Sequence, residues 1–115
     1  MDGLERIRNT LTAAGLLVYD PSECRGVCQA AYTVVRDMGT YPMSGNKTGY
    51  TLAEVINFVP IDNYDQLAAY TAQVKALLQP LKAQVRPTGN ISPDMIREEY
   101  KAHQKSVEYM ILKTL

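Results

Sequence analysis

Leu4, Ile7 and Leu11 recur at helical spacing, and Ala14 continues the stripe, while Glu5, Arg6, Arg8 and Asn9 fill the other faces. The pattern predicts an amphipathic helix over residues 3–14, with Gly15 as its C-cap. Leu16, Leu17, Val18 and Tyr19 form a short apolar run that stops at the turn signal Asp20-Pro21-Ser22. Residues 31–37 are rich in β-branched and aromatic types and predict a strand. A polar, glycine-bearing stretch follows, from Gly39 to Gly49. Then Tyr50, Leu52, Ile56 and Phe58 alternate with Thr51, Ala53, Val55, Asn57 and Val59, up to Pro60. That alternation predicts a second, long strand with apolar groups on both faces. The two strands predict a β-hairpin with a long tip, and loops of that length are often functional.

Asp62 or Asn63 is positioned to cap the next helix, whose apolar face carries Leu67, Tyr70, Val74, Leu77, Leu78 and Leu81. Pro80 breaks or bends it near its end, and residues 86–93 read as a loop. The last segment is ambiguous. Ile96, Tyr100, His103, Val107, Met110 and Thr114 follow 4-3-4-3-4 spacing, which argues for a helix, yet the last ten residues also alternate like a strand. The sum is one α+β domain over residues 1–115. It is expected to hold a small mixed or antiparallel β-sheet with a long-tipped hairpin, flanked by an N-terminal helix and a second, longer helix.

Composition adds restraint. Hydrophobic content of 46% and charged content of 21% in 115 residues suit a globular domain with its own core. The formal net charge is zero, so no global field draws the chain to nucleic acid or to an acidic membrane. The zero covers a split. Residues 1–65 hold eight acids and five bases, whereas residues 66–115 hold four acids and seven bases. Unlike halves suit head-to-tail association. The first residues lack the layout of a signal peptide, and no apolar run approaches the ~20 residues that span a bilayer. A reducing cytoplasm is therefore expected. Asn46-Lys47-Thr48 and Asn90-Ile91-Ser92 accordingly read as turn chemistry.

Candidate chemistry is thin. Cys24 and Cys28 are four residues apart and would share a helix face, but with His103, the one histidine, they supply three ligands. A structural zinc site needs four. Free thiols, at least one of them buried, are the expected state. Residues 39–48 superficially resemble a phosphate-binding loop. An extra residue separates the glycines, Asn46 intrudes before Lys47, and the stretch leads into a strand where a phosphate loop opens a helix. Glu98-Glu99 has no matching acidic pair. Eight tyrosines against one phenylalanine and no tryptophan favour wet protein interfaces. Only Arg97, Lys101 and Lys105 approach a basic cluster. No enzyme activity, cofactor or metal is expected.

Several phrases carry a resemblance. They are Tyr32-Thr33-Val34-Val35-Arg36, Gly49-Tyr50-Thr51-Leu52 with Val55, the helix over 64–81 ending Val74-Lys75-Ala76-Leu77, and the close Ser106-Val107-Glu108-Tyr109-Met110-Ile111-Leu112-Lys113. With the order of elements, the chain resembles the tail-terminator or tail-completion (neck) proteins of long-tailed phages and prophages over most of its length. The resemblance implies a sheet flanked by helices and a last segment that is a strand. It implies a homo-oligomeric ring, usually of six subunits, that ends the tail tube and presents a surface to the head connector. Expected partners are other copies of the chain, the tail-tube protein and the head-connector protein, with no specific nucleic acid and no membrane. The expected location is the host cytoplasm during assembly and then the virion tail or neck. Tyr41, Met43, Asn46, Lys47 and Tyr50 at the hairpin tip are the expected interface residues, with residues 39–49 poorly tied down until a neighbour binds. The rival reading from another class is a host cytosolic binding or regulatory module of unknown ligand.

Overall fold

A computed structural model describes residues 3–21, 26–42 and 48–114. Helix α1 (Gly3–Ala13) leads to strand β1 (Val18–Tyr19), then the hairpin of β2 (Tyr32–Pro42) and β3 (Thr48–Pro60). A 3₁₀ stretch, Ile61–Gln66, precedes helix α2 (Leu67–Leu78). Strands β4 (Val85–Ile91), β5 (Met95–Arg97) and β6 (Ala102–Thr114) complete the order. The sheet runs β1-β2-β3-β6-β4, and β5 pairs with β6 beside β4. It is mixed, because β1 lies parallel to β2 and every other pairing is antiparallel. The α+β class expected from the sequence is the class observed.

Helix α1 ends as its sequence requires. Gly15 adopts φ 88°, which only glycine takes up cheaply. Its N–H donates to the Thr12 carbonyl, and the Leu16 N–H donates to the Leu11 carbonyl. This is a Schellman closure, and it turns Leu16 back onto the core. At the other end Gly3 is pressed against β6, where a Cβ would collide with the Ile111 side chain. Ile7 and Leu11 are fully buried, Leu4 is half-buried and Ala14 is exposed.

The main core lies between the two helices and one face of the sheet. Val35, Val55, Val59, Val107 and Tyr109 meet Ile7, Leu11, Leu67, Val74 and Leu78 there. Burial pushes the Tyr109 phenol up to about 12. A polar seam crosses this layer. The Thr33 hydroxyl donates to Asn57 Oδ1 at 3.0 Å, so at 2.9 Å the Tyr70 hydroxyl must donate to Thr33. A smaller core on the opposite face gathers Cys28, Tyr32, Val34, Phe58 and Ala102. Tyr32 stacks on Phe58 at 4.7 Å.

Four local expectations are corrected, and one open alternative is decided. The stretch from Gly39 to Gly49 is not all loop: Thr40, Tyr41 and Pro42 pair with Thr51, Tyr50 and Gly49. A bulge between Asp37 and Thr40 absorbs Gly39 at φ 112° and lets the ladder resume. Residues 39–42 and 48–49 are thus tied into the sheet, and 43–47 lie outside the described residues. Asp62 and Asn63 do not cap α2. They sit in the 3₁₀ stretch, and α2 starts at Leu67 with no side-chain cap. Residues 86–91 form β4 where a loop was expected, because β6 supplies partners for Val85, Arg86, Pro87 and Ile91. In the last segment the strand alternative, which the resemblance implies, is the one observed. Residues 102–114 form β6, held between β3 on one side and β4 and β5 on the other. Leu67, Val74 and Leu78 face the sheet as expected, but Leu77 is only half-buried.

That last difference sets an expected outcome. Leu78→Ala removes a fully buried side chain and should cost about 2–5 kcal/mol. Leu77→Ala should cost less than half as much as Leu78→Ala. Urea melts of the two variants check this, and equal losses would mean that the helix face is misassigned.

Candidate functional site

The hairpin places Tyr41 and Tyr50 directly opposite each other, rings 5.6 Å apart and 30° from parallel. The bulge sets this up. The Gly39 N–H donates to Asp37 Oδ1 at 2.8 Å, and the Tyr41 hydroxyl donates to the Met38 carbonyl. Tyr41 remains 43% exposed. The other three expected interface residues, Met43, Asn46 and Lys47, lie outside the described residues. Of the five, the structure therefore brings Tyr41 and Tyr50 together.

The same sheet face continues away from the tip. Strand registers place Leu52 opposite Met110 and Tyr50 opposite Leu112, all half-buried. Both helices pack on the other face. Below these side chains lies a polar row. Glu54 stands directly across from Glu108, an unfavourable pairing by itself. Arg36 reaches Glu54 at 3.5 Å, and Thr88 and Asn90 donate to Glu108 Oε1 at 2.8 and 3.0 Å. Glu54 and Glu108 border a shallow polar recess with Asn90, Ser92 and Ser106.

The thiol and imidazole do not meet. Cys28 is buried in the small core, where its S–H donates to the Ala30 carbonyl and burial pushes the thiol up. His103 belongs to the helix-bearing face and contacts the Tyr64 ring at 4.5 Å. Cys24 lies outside the described residues. Among the described residues, no group of three or more His, Cys, Asp or Glu is arranged to hold a metal. The glycine-bearing stretch leads into β3, so no helix N-terminus opens there to cradle a phosphate. No helix among the described residues is long and apolar enough to cross a membrane.

Sequence reasoning missed one polar cluster. Asp94, between β4 and β5, accepts from the Tyr64 hydroxyl at 2.6 Å and from Lys105 Nζ at 3.0 Å. It latches the 3₁₀ stretch to the sheet edge. The partners stand 30 and 11 residues away along the chain, so no local motif marks the cluster. No protein-family model matches the chain, and no curated protein matches it.

The latch has a pH signature. The Tyr64 hydrogen bond, then Lys105, hold the Asp94 carboxyl below its usual range. A depressed folded pKa contributes stability above the unfolded pKa, near 3.9 for Asp, and loses it as pH falls through the lower folded value. Asp94→Asn should therefore reduce the melting temperature at neutral pH. It should also flatten the acid limb of the stability curve below about pH 4. Parallel acid limbs in the variant and the parent chain would exclude the latch.

Proposed function

We propose that this chain is a structural subunit of a phage or prophage tail, a tail terminator or close neck relative. It forms a ring that ends the tail tube and joins it to the head. The observation that carries the reading is the two-faced sheet. One face is buried by α1 and α2, while the other leaves Tyr41, Tyr50, Leu52, Met110 and Leu112 partly open to solvent near the hairpin tip. Tyrosine and aliphatic side chains around charged groups suit burial against another protein. The order helix, short strand, long hairpin, helix, final strand supports the reading, because it is the layout that the resemblance implies.

In this reading the ring needs no chemistry from its subunits. The hairpin end meets the tube or a neighbouring subunit, and a compact surface faces the head connector. Deleting residues 42–47 and closing the hairpin with a short turn should leave the subunit folded by circular dichroism. The same deletion, placed in the phage genome that encodes the chain, should abolish completed tails in electron micrographs. Normal tails from the deleted chain would exclude the hairpin tip as the contact.

A further inference from the structure

The sheet has two lateral edges, and its two ends treat them differently. At the hairpin end the outer strands are β2 and β4. β2 carries a bulge, Asp37, Gly39 and Pro42, and β4 carries Pro87 and a break in register between Pro87 and Ile91. Such features keep edge strands from pairing with other chains. At the opposite end the outer strands are β1 and β5. Neither contains a proline, a glycine or a bulge. Apolar side chains stand open beside both, with Leu17 48% exposed, Met95 41% and Ile96 58%.

The registers make these two edges match. Val18 pairs with Thr33, Thr33 with Asn57 and Asn57 with Lys105. One residue before β1, Leu17 stands level with Gln104, whose partner at the far edge is Met95. Both side chains fall on the face opposite the helices. The directions also match. β1 runs with β2 and β6, and β5 runs against β6, so β1 and β5 are antiparallel. A copy that keeps its strand direction thus meets its neighbour in the antiparallel arrangement, the better bonded of the two.

Backbone groups are available on both sides. The Thr33 N–H donates to the Leu17 carbonyl, which turns Leu17 inward and the peptide groups of Val18 outward. The Ser92 N–H donates to the Ser106 carbonyl and the Leu112 N–H donates to the Gln84 carbonyl, so even-numbered β6 positions turn their peptide groups toward the side that holds β4 and β5. Met95, opposite Gln104, therefore points inward and Ile96 points outward. Among the described residues, no strand pairs with the outer side of β1 or β5.

We infer that copies of this chain join head to tail through these edges, β5 of one adding to β1 of the next so that the sheet continues. The inference rests on the ring reading and specifies its subunit contact. Unlike edges meet, so the contact is heterologous, and the rotation per copy decides whether it closes.

Edge blocks and cross-links test it in the full-length chain. Leu17→Lys and Ile96→Pro should each reduce the assembly to single-chain mass by light scattering. Mixed together they should give a two-chain species, since each retains one good edge. In a Cys24→Ser, Cys28→Ser background, Leu17→Cys and Met95→Cys should form a disulfide with each other and not with themselves. This arm decides the matter if an edge block fails to fold. Wild-type-like assembly of either folded edge block, self-linking of Leu17→Cys, or an absent mixed disulfide overturns the edge contact. The ring reading then stands if the parent chain is still a ring. A monomeric parent chain that nevertheless forms the mixed disulfide supports the edge contact and removes the ring.

Discussion

The ladder between β3 and β6 is the constraint on which the rest depends. It runs without a shift from Thr48 opposite Thr114 to Pro60 opposite Ala102. Both strands are interior, so their register sets the level of every other strand. It also sets the faces. Val55, Val59, Val107 and Tyr109 go to the helices, while Leu52, Glu54, Glu108 and Met110 go to the other side. A slip of one residue in either strand would send its carboxylate into the core and its valines to solvent. The Glu54–Glu108 pair sharpens this choice. Two like charges face each other, and the native register alone gives one of them Arg36 and the other Thr88 and Asn90. The pair itself adds little stability, and it is the cost of burying either carboxylate that penalises the slipped registers.

Much of this was readable in the chain, and the failures have physical causes. Alternation over 50–59 and the stripe ending at Gly15 each belong to one element, and both predictions hold. Strand β6 was ambiguous because Val107 and Met110 satisfy a helical period while Val107, Tyr109 and Ile111 satisfy a strand period. Neighbours on both sides decide between them, and neighbours are not local. Strand β4 read as a loop because Pro87, Gly89 and Pro93 are turn formers. Yet the Ser92 N–H donates to the Ser106 carbonyl, and Ser92 Oγ accepts from the Ser106 N–H in place of a backbone carbonyl. A side chain completing a ladder leaves no period to detect. The Tyr41–Tyr50 stack shows the intermediate case. Both residues belong to the expected interface, but their register depends on the bulge beside Gly39.

The charge split along the sequence is weaker in space than on paper. Residues 1–65 build β1, β2 and β3, and residues 66–115 build the strands on the other side. However, the 3₁₀ stretch with Asp62 and Asp65 packs beside β6 through Tyr64 and His103. Those two acids move to the basic side and dilute the contrast. The head-to-tail association we propose would therefore depend on edge hydrogen bonds and on Leu17, Met95 and Ile96 more than on net charge. Such a contact should be only mildly sensitive to salt, because apolar burial and backbone pairing are not screened as surface charges are. The Asp94 latch lies beside the same edge and ties the chain between β4 and β5 to Tyr64 and Lys105, so in the proposed assembly it would link the stability of the subunit to the shape of its contact.

Native mass spectrometry of the purified chain, run across a concentration series and paired with negative-stain images, tests the central claim most directly. One closed oligomer is expected, of the six subunits that the resemblance implies, with a ring outline and no larger polymers. A single-chain mass at every concentration, with no ring in the images, would contradict it.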